Sequence, residues 1–401
     1  MSEFSPIFIF GVARSGTNFL ARSLRTHPEV MVALDPLMPL FKAWRNLIAE
    51  PIAKVWNYSF DPQCPFQDFY FDPVGVKFLD AMISAPCSLS VDLNLHLKNS
   101  ICERASLEDP KLGNALEKLR GNTVEQIFAS TLDVIASYAK FEDKNHLTWV
   151  GLKEVWVAEF VNSLAQAFPT GKFIVIHRDP RAVIASLMAL SHQDPSQAAH
   201  IISYMRHWRK QVSVVHYLST NSAISNRLLS VRYEDIVTEP VTWLDKIGQF
   251  LHLEDSFYLL RGIHTSEWRG NSSFGVNVGI NSNAAERWRD CLPLAIQATV
   301  EFHCAPEMAM LGYICNSIKK DVQLNMIWDT IMDADRNPGK WRSDSGDVEA
   351  DFAWELRRWS LLRDRSKDIE EIRRCFLFES IYEELLQVSS GDLFPNWEVM
   401  A

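Results

Sequence analysis

Three short, mainly apolar runs punctuate the chain, and in the first two the apolar residues follow one another without alternating with polar positions, which is the pattern of strands buried on both faces. The first, Pro6–Phe10, breaks into "GVARSGT" before helical periodicity takes over from Asn18 to Thr26. The second opens a unit spanning Lys172–Met188, in which "KFIVIH" gives way to Arg178-Asp179-Pro180-Arg181 and then to helical spacing. Asp179 is placed to cap that helix and Pro180 suits its first turn. The third run, "RLLSVRYEDI", predicts a strand over Arg227–Ile236, and a helix begins past Pro240 and runs through "VTWLDKIGQFLHL". Strands separated by helical segments define an α/β fold, a parallel β-sheet flanked by helices, with ligands at the carboxyl ends of the strands.

Residues 36–150 read as mostly helical, except that "DPQCPFQDFYFDPVG" is loop-like and aromatic and is a candidate wall for a substrate pocket. Past residue 316 the character changes. Residues 319–401 hold 18 acidic and 12 basic side chains, so they carry six of the ten net negative charges. In this stretch "NPGKWRSDSGD" marks a flexible break, and two amphipathic helices are predicted over Val348–Asp364 and Lys367–Gln387. The expected organisation is therefore one α/β domain over residues 1–316 and a mainly helical carboxy-terminal extension over residues 317–401. Three roles are open to the extension: a cover over the acceptor pocket, a dimer contact that would make the protein a homo-oligomer, or added stability through an apolar stripe buried on its own domain.

Composition narrows the partners. With 401 residues and 47% hydrophobic content the chain supplies a sizeable core. A net charge of −10 argues against a general nucleic-acid binder and makes a long polyanionic glycan an awkward partner. The seven cysteines are scattered and never form Cys-x-x-Cys, so neither a zinc site nor a disulfide framework is indicated, and no metal is expected. Reduced thiols fit a cytoplasmic location. The first dozen residues lack a basic region ahead of their apolar stretch, which reads as a core strand and not as a secretory signal. No apolar run approaches the roughly 20 residues needed to cross a bilayer, so no membrane partner is expected.

The loop between the first strand and its helix carries the chemistry. Gly11 and Gly16 stand with four residues between them, the frame of a phosphate-binding loop in which backbone N–H groups and a helix N-terminus converge on an anion. A triphosphate loop would follow the second glycine with Lys and then Ser or Thr, to reach the phosphates and hold magnesium. Here those positions are Thr17 and Asn18, and the cation is Arg14, inside the loop. In the second unit Arg178 sits at the end of its strand and Ser186 about two turns into the following helix, a guanidinium and a hydroxyl suited to one anion. Two anion-competent units in one sheet suggest a nucleotide phosphorylated at both ends.

"FIFGVARSGTNFL" and "KFIVIHRDPRAVIASL", with "LSVRYEDIVTEP" and "ERWRDCLP" following in that order, resemble the sulfotransferases that use 3′-phosphoadenosine-5′-phosphosulfate (PAPS), over residues 6–316. The resemblance implies the P-loop-like three-layer sulfotransferase fold and a sulfonate transfer without metal to a hydroxyl or amine of a small-molecule acceptor. It also implies residue roles. The backbone from Ala13 to Asn18, with Arg14, Ser15, Gly16, Thr17 and Asn18, would hold the 5′-phosphosulfate, and Arg178 with Ser186 the 3′-phosphate. Ser272, Ser273 and Arg287 match a late loop that returns over the nucleotide. Arg14 and Lys153 are the cations expected at the bridging oxygen. Asp35 stands where relatives carry a catalytic glutamate, with His27, Glu29 and Glu154 as alternatives for the base. Lys153 has a second reading, as a surface lysine paired with Glu154, and Tyr233, Glu234 and Asp235 are expected to pack or cap. Two other functions stay open: a P-loop small-molecule kinase, which ATP with magnesium would reveal, and a non-catalytic nucleotide-binding scaffold.

Overall fold

The computed structural model describes residues 4–388, apart from 145, 221–222, 265–278, 318–322, 338, 341 and 343–345. They form two compact units, each assembled from separate stretches of chain: 1–62, 80–177 and 221–282 in the first, and 63–79, 178–220 and 283–401 in the second.

The first unit holds the sheet. Strands β1 (Ser5–Gly11), β2 (Val30–Leu34), β3 (Trp149–Val155), β4 (Lys172–His177) and β5 (Leu228–Arg232) are all parallel, in the order β2-β3-β1-β4-β5. Alternation within β1 sends its residues to opposite faces. Ile7 and Ile9 join a core with Leu20 and Leu24 of the helix Thr17–Arg25 and Leu244 and Ile247 of the helix Pro240–Leu251. Phe8 and Phe10 stack instead on Phe173, at ring-centroid distances of 5.3 and 6.3 Å, and Phe8 meets Phe128 of the helix Val124–Ala139 edge-on. Helices thus cover both faces.

Two expectations are corrected. The strand expected to reach Ile236 stops at Arg232, and Tyr233–Thr238 is a helix, which carries Glu234 and Asp235 in its first turn, where the helix dipole favours acids. The span expected as one helix to Gln387 is two, Ile369–Phe376 and Glu379–Val388, because Leu377 turns left-handed at φ 69° and lets Phe376, Leu377 and Phe378 all bury. The helix Ile201–Ser219 is buried along nearly its whole length although it carries Arg206 and Arg209, and its counter-charges come from the helix Val348–Arg363. Arg206 Nη1 lies 2.7 Å from Asp351, and Arg209 pairs with Glu355.

The aromatic segment in the second unit has a packing role. Phe69 and Phe71 both adopt φ 69°, and the Tyr70 and Phe71 rings lie 4.5 Å from the Arg209 guanidinium and 4.7 Å from that of Arg206. These rings cover buried cations. Arg374 locks the segment from the carboxy-terminal side by accepting the Phe71 N–H and donating Nε to the Phe71 carbonyl, both at 2.8 Å.

Candidate active site

Candidate residues of the first unit collect at the carboxyl edge of the sheet. After β1 the chain folds tightly, with Ser15 Oγ donating to the Val12 carbonyl at 2.7 Å and the Ser15 N–H to the same oxygen at 3.2 Å. The Ser15 hydroxyl is thereby committed to the shape of the loop. Gly16 sits at φ 99° as the N-cap of the helix Thr17–Arg25, with no side-chain cap and no acid in the first turn. The first N–H groups of that helix lack intrahelical partners and suit an anion. The glycines are sterically required. A Cβ on Gly11 would stand 2.5 Å from the Thr17 methyl and 2.6 Å from Ser15 Oγ, and one on Gly16 would stand 2.4 Å from the Tyr233 ring. Tyr233 therefore packs behind the loop, edge-on to Phe19. Asn18 Oδ1 is buried and has no hydrogen-bond partner among the described residues.

Beside the loop lies a charged cluster. Register pairs Leu34 of β2 with Lys153 of β3, and the Asp35 N–H donates to the Lys153 carbonyl at 2.7 Å. Lys153 Nζ donates to Asp35 Oδ2, and Arg104 Nη2, from the helix Leu95–Ser106, lies 3.6 Å from the same oxygen. Asp35 Oδ1 is buried and has no hydrogen-bond partner among the described residues. Lys153 is only 2% exposed, so the surface pairing with Glu154 does not form. Glu154 instead turns to the chain after β2, its Oε1 accepting the Leu37 N–H while Oε2 is buried with no partner among the described residues. Burial first, and then the negative charge of Asp35, push the Glu154 carboxyl up to about 8, against the lowering by the Leu37 N–H, Lys153 and Arg104.

Strain gathers at this edge. Arg14, Asp35 and Trp156, each just past the end of one of the three neighbouring strands β1, β2 and β3, all adopt left-handed backbone, at φ 72°, 47° and 69°. Such conformations cost of order 1–3 kcal/mol each and cluster where function fixes geometry. The Trp156 N–H donates to the Gly11 carbonyl at 3.3 Å, tying the end of β3 to the start of the loop.

His27 and Glu29 are not part of the cluster. Both precede β2, at the amino edge of the sheet, where His27 Nδ1 accepts the Glu29 N–H and the Glu29 carbonyl accepts the N–H groups of Thr148 and Trp149. That position removes them as bases acting beside Asp35. Arg104 is the addition that the sequence did not mark, since nothing in "NLHLKNSICERAS" distinguishes it from a solvated helix residue.

In the second unit Arg178 follows the last residue of β4 and is nearly buried. Its Nη2 donates to the Ala284 carbonyl at 2.9 Å, and its own carbonyl accepts the Trp208 indole N–H at 2.8 Å. The first bond brings it to the turn that leads into Arg287. Asp179 caps the helix Pro180–Gln193 through the Arg181 N–H, and its carboxylate pairs with Arg181. Ser186 is buried in that helix. Ser272 and Ser273 lie outside the described residues.

A parallel α/β sheet with a glycine-framed loop after its central strand, and threonine at position 17 where a triphosphate loop carries lysine, defines a P-loop-like fold. Residues 6–256 match the sequence profile of the Sulfotransferase family, and the chain belongs to it. Over 320 residues the chain is 26% identical to protein-tyrosine sulfotransferase 1 of Danio rerio, covering 77% of this chain and 72% of that one. It is 23% identical to carbohydrate sulfotransferase 1 of Homo sapiens over 356 residues, 78% of this chain and 80% of that one. Among solved structures, the sulfotransferase domain from the Synechococcus PCC 7002 olefin synthase aligns with TM-score 0.46 and 17% identity, over 79% of this chain and 98% of that one.

Proposed function

We propose that the protein transfers a sulfonate group from PAPS to a hydroxyl of a small-molecule acceptor. The observation that carries the reading is the loop itself: an uncapped helix N-terminus behind two glycines whose missing Cβ atoms let the loop close against Thr17, Ser15 and Tyr233, with Arg14 inside it. The donor fits that cradle through its 5′-phosphosulfate. Arg178 and Ser186 take the 3′-phosphate; supporting this, Arg178 continues directly from β4, which pairs with β1 in the register Gly11 with Ile176.

Transfer is an in-line displacement at sulfur. The acceptor oxygen forms its bond to sulfur as the bond from sulfur to the bridging oxygen breaks, and the electron pair of that bond stays on the departing phosphate. Arg14 and Lys153 supply positive charge to the oxygen that gains it. Asp35 takes the acceptor's proton, using the buried Oδ1 that no other group among the described residues engages. Lys153 holds Asp35 Oδ2 and so fixes the direction in which Oδ1 points.

Net charge favours a small, uncharged acceptor. A second reading, a tyrosyl phenol on a protein, draws support from the relative named protein-tyrosine sulfotransferase 1, matched over 77% of this chain. Calorimetry without metal tests the donor. 3′,5′-Bisphosphoadenosine should bind more tightly than AMP, and Arg178→Ala should remove most of that preference. Tightest binding by ATP with magnesium would replace this reading with a kinase. A panel of a simple phenol, a tyrosyl peptide and a monosaccharide then separates the acceptors.

A further inference from the structure

We infer that Glu154 is a positioning residue that fixes the turn carrying Asp35. The inference rests on the reading of Asp35 as the proton acceptor. Asp35 stands at φ 47°, a conformation that costs free energy and persists only where its surroundings impose it. Two bonds impose it. The Asp35 N–H donates to the Lys153 carbonyl, and two residues on the Leu37 N–H donates to Glu154 Oε1. Consecutive residues of β3 thus grip the chain on both sides of the turn, one with its backbone and one with its side chain.

Glu154 is an expensive residue for that task. It is fully buried, and a buried carboxyl is favoured only when hydrogen-bonded, yet Oε2 has no partner among the described residues. The charged groups that act on it are Asp35 on the turn, Lys153 on its own strand and Arg104 on the helix Leu95–Ser106. Lys153 is engaged by Asp35, so Glu154 lacks a cation of its own. A neutral Glu154 resolves the conflict. It keeps Oε1 as an acceptor for Leu37, carries its proton on Oε2, and leaves Lys153 to Asp35 undivided. The raised proton affinity agrees with that state up to about pH 8.

Glutamine reproduces the neutral form and its acceptor oxygen, whereas alanine removes both. Turnover is read as release of 3′,5′-bisphosphoadenosine from PAPS with a simple phenol, and calorimetric affinity for the bisphosphate shows that each variant folds. Glu154→Ala should lower kcat by about 100-fold, the scale of a misplaced catalytic group, with bisphosphate affinity within about twofold of wild type. Glu154→Gln should restore most of kcat. Wild type should lose activity above about pH 8, where ionised Glu154 competes for Lys153, and Glu154→Gln should not. An infrared band of a protonated carboxyl, present in wild type at pH 7 and missing in Glu154→Gln, supports the inference without reference to turnover. Two results overturn it: wild-type kcat in Glu154→Ala, or a loss in Glu154→Gln as deep as in Asp35→Asn, which would make Glu154 itself the base. Normal turnover in Asp35→Asn is a different failure, that of the reading beneath it.

Discussion

Arg209 and Glu355 meet in two parallel hydrogen bonds, Nη1 to Oε2 at 2.6 Å and Nη2 to Oε1 at 2.9 Å, with both side chains buried. The planar fork matches the carboxylate, the strongest geometry such a pair can take. Arg206 Nε adds a third bond to Oε1 at 3.3 Å. Removing one partner leaves a buried charge without compensation, so Glu355→Ala should destabilise the protein by about 3–5 kcal/mol in urea unfolding. A loss below about 1 kcal/mol would place the pair in the class of exposed, weakly coupled ions.

The same pair sets an acid limit. Burial alone would raise the Glu355 carboxyl, but Arg209, His303 and Arg206 outweigh it and hold it at about 2. A carboxyl depressed in the folded state contributes stability that is present above its unfolded value, near 4.5, and is lost as pH falls toward 2. Wild type should therefore lose melting temperature steeply between those limits, and Glu355→Gln, already less stable at pH 7, should show a shallower slope. Parallel slopes would show that other carboxyls govern acid unfolding.

Truncation extends the point to the whole carboxy-terminal segment. A chain ending at residue 316 would lack Asp351 and Glu355, the counter-ions of Arg206 and Arg209, and Arg358, which pairs with Glu307. It would also lose the Arg374 clamp on Phe71. Such a chain should fail to give a cooperative melt by calorimetry. A truncated protein with wild-type melting would make these helices the separable extension that their acidic composition suggests.

The legible parts of this fold were those in which one residue type has one use. β1 and β4 are unbroken apolar runs, and Asp179 and Pro180 cap and open the helix Pro180–Gln193 as their chemistry requires. β3 was not legible as a strand, because "WVGLKEV" buries a lysine and a glutamate that the pattern of apolar positions assigns to a surface. Those are the residues that build the charged cluster. Asp35 and Lys153 were reached through resemblance, whereas Arg104 needed the fold, since a helix 69 residues away in sequence brings it to Asp35. For the same reason Arg206 and Arg209 did not stand out. Their partners lie about 146 residues downstream, and no local pattern couples positions at that separation.

The seat of the anion loop yields a prediction with two separable parts. Gly16 has φ 99°, which a residue with a Cβ adopts at a cost of about 1–2 kcal/mol, and that Cβ would also stand 2.4 Å from Tyr233 Cδ2. Gly16→Ala should therefore lower stability by more than the backbone cost alone and weaken 3′,5′-bisphosphoadenosine binding by at least about tenfold, 1.4 kcal/mol. Tyr233→Ala in the same chain removes the ring but not the backbone cost. The double variant should regain part of the loss in both melting temperature and affinity relative to the sum of the single variants, a coupling of about 0.5–3 kcal/mol for residues in contact. Because Tyr233→Ala alone costs packing against Phe19, only the non-additive part reports the clash. Strict additivity would mean that the ring moves aside freely and that the left-handed backbone of Gly16, not the Tyr233 wall behind it, is what holds the loop in its anion-binding shape.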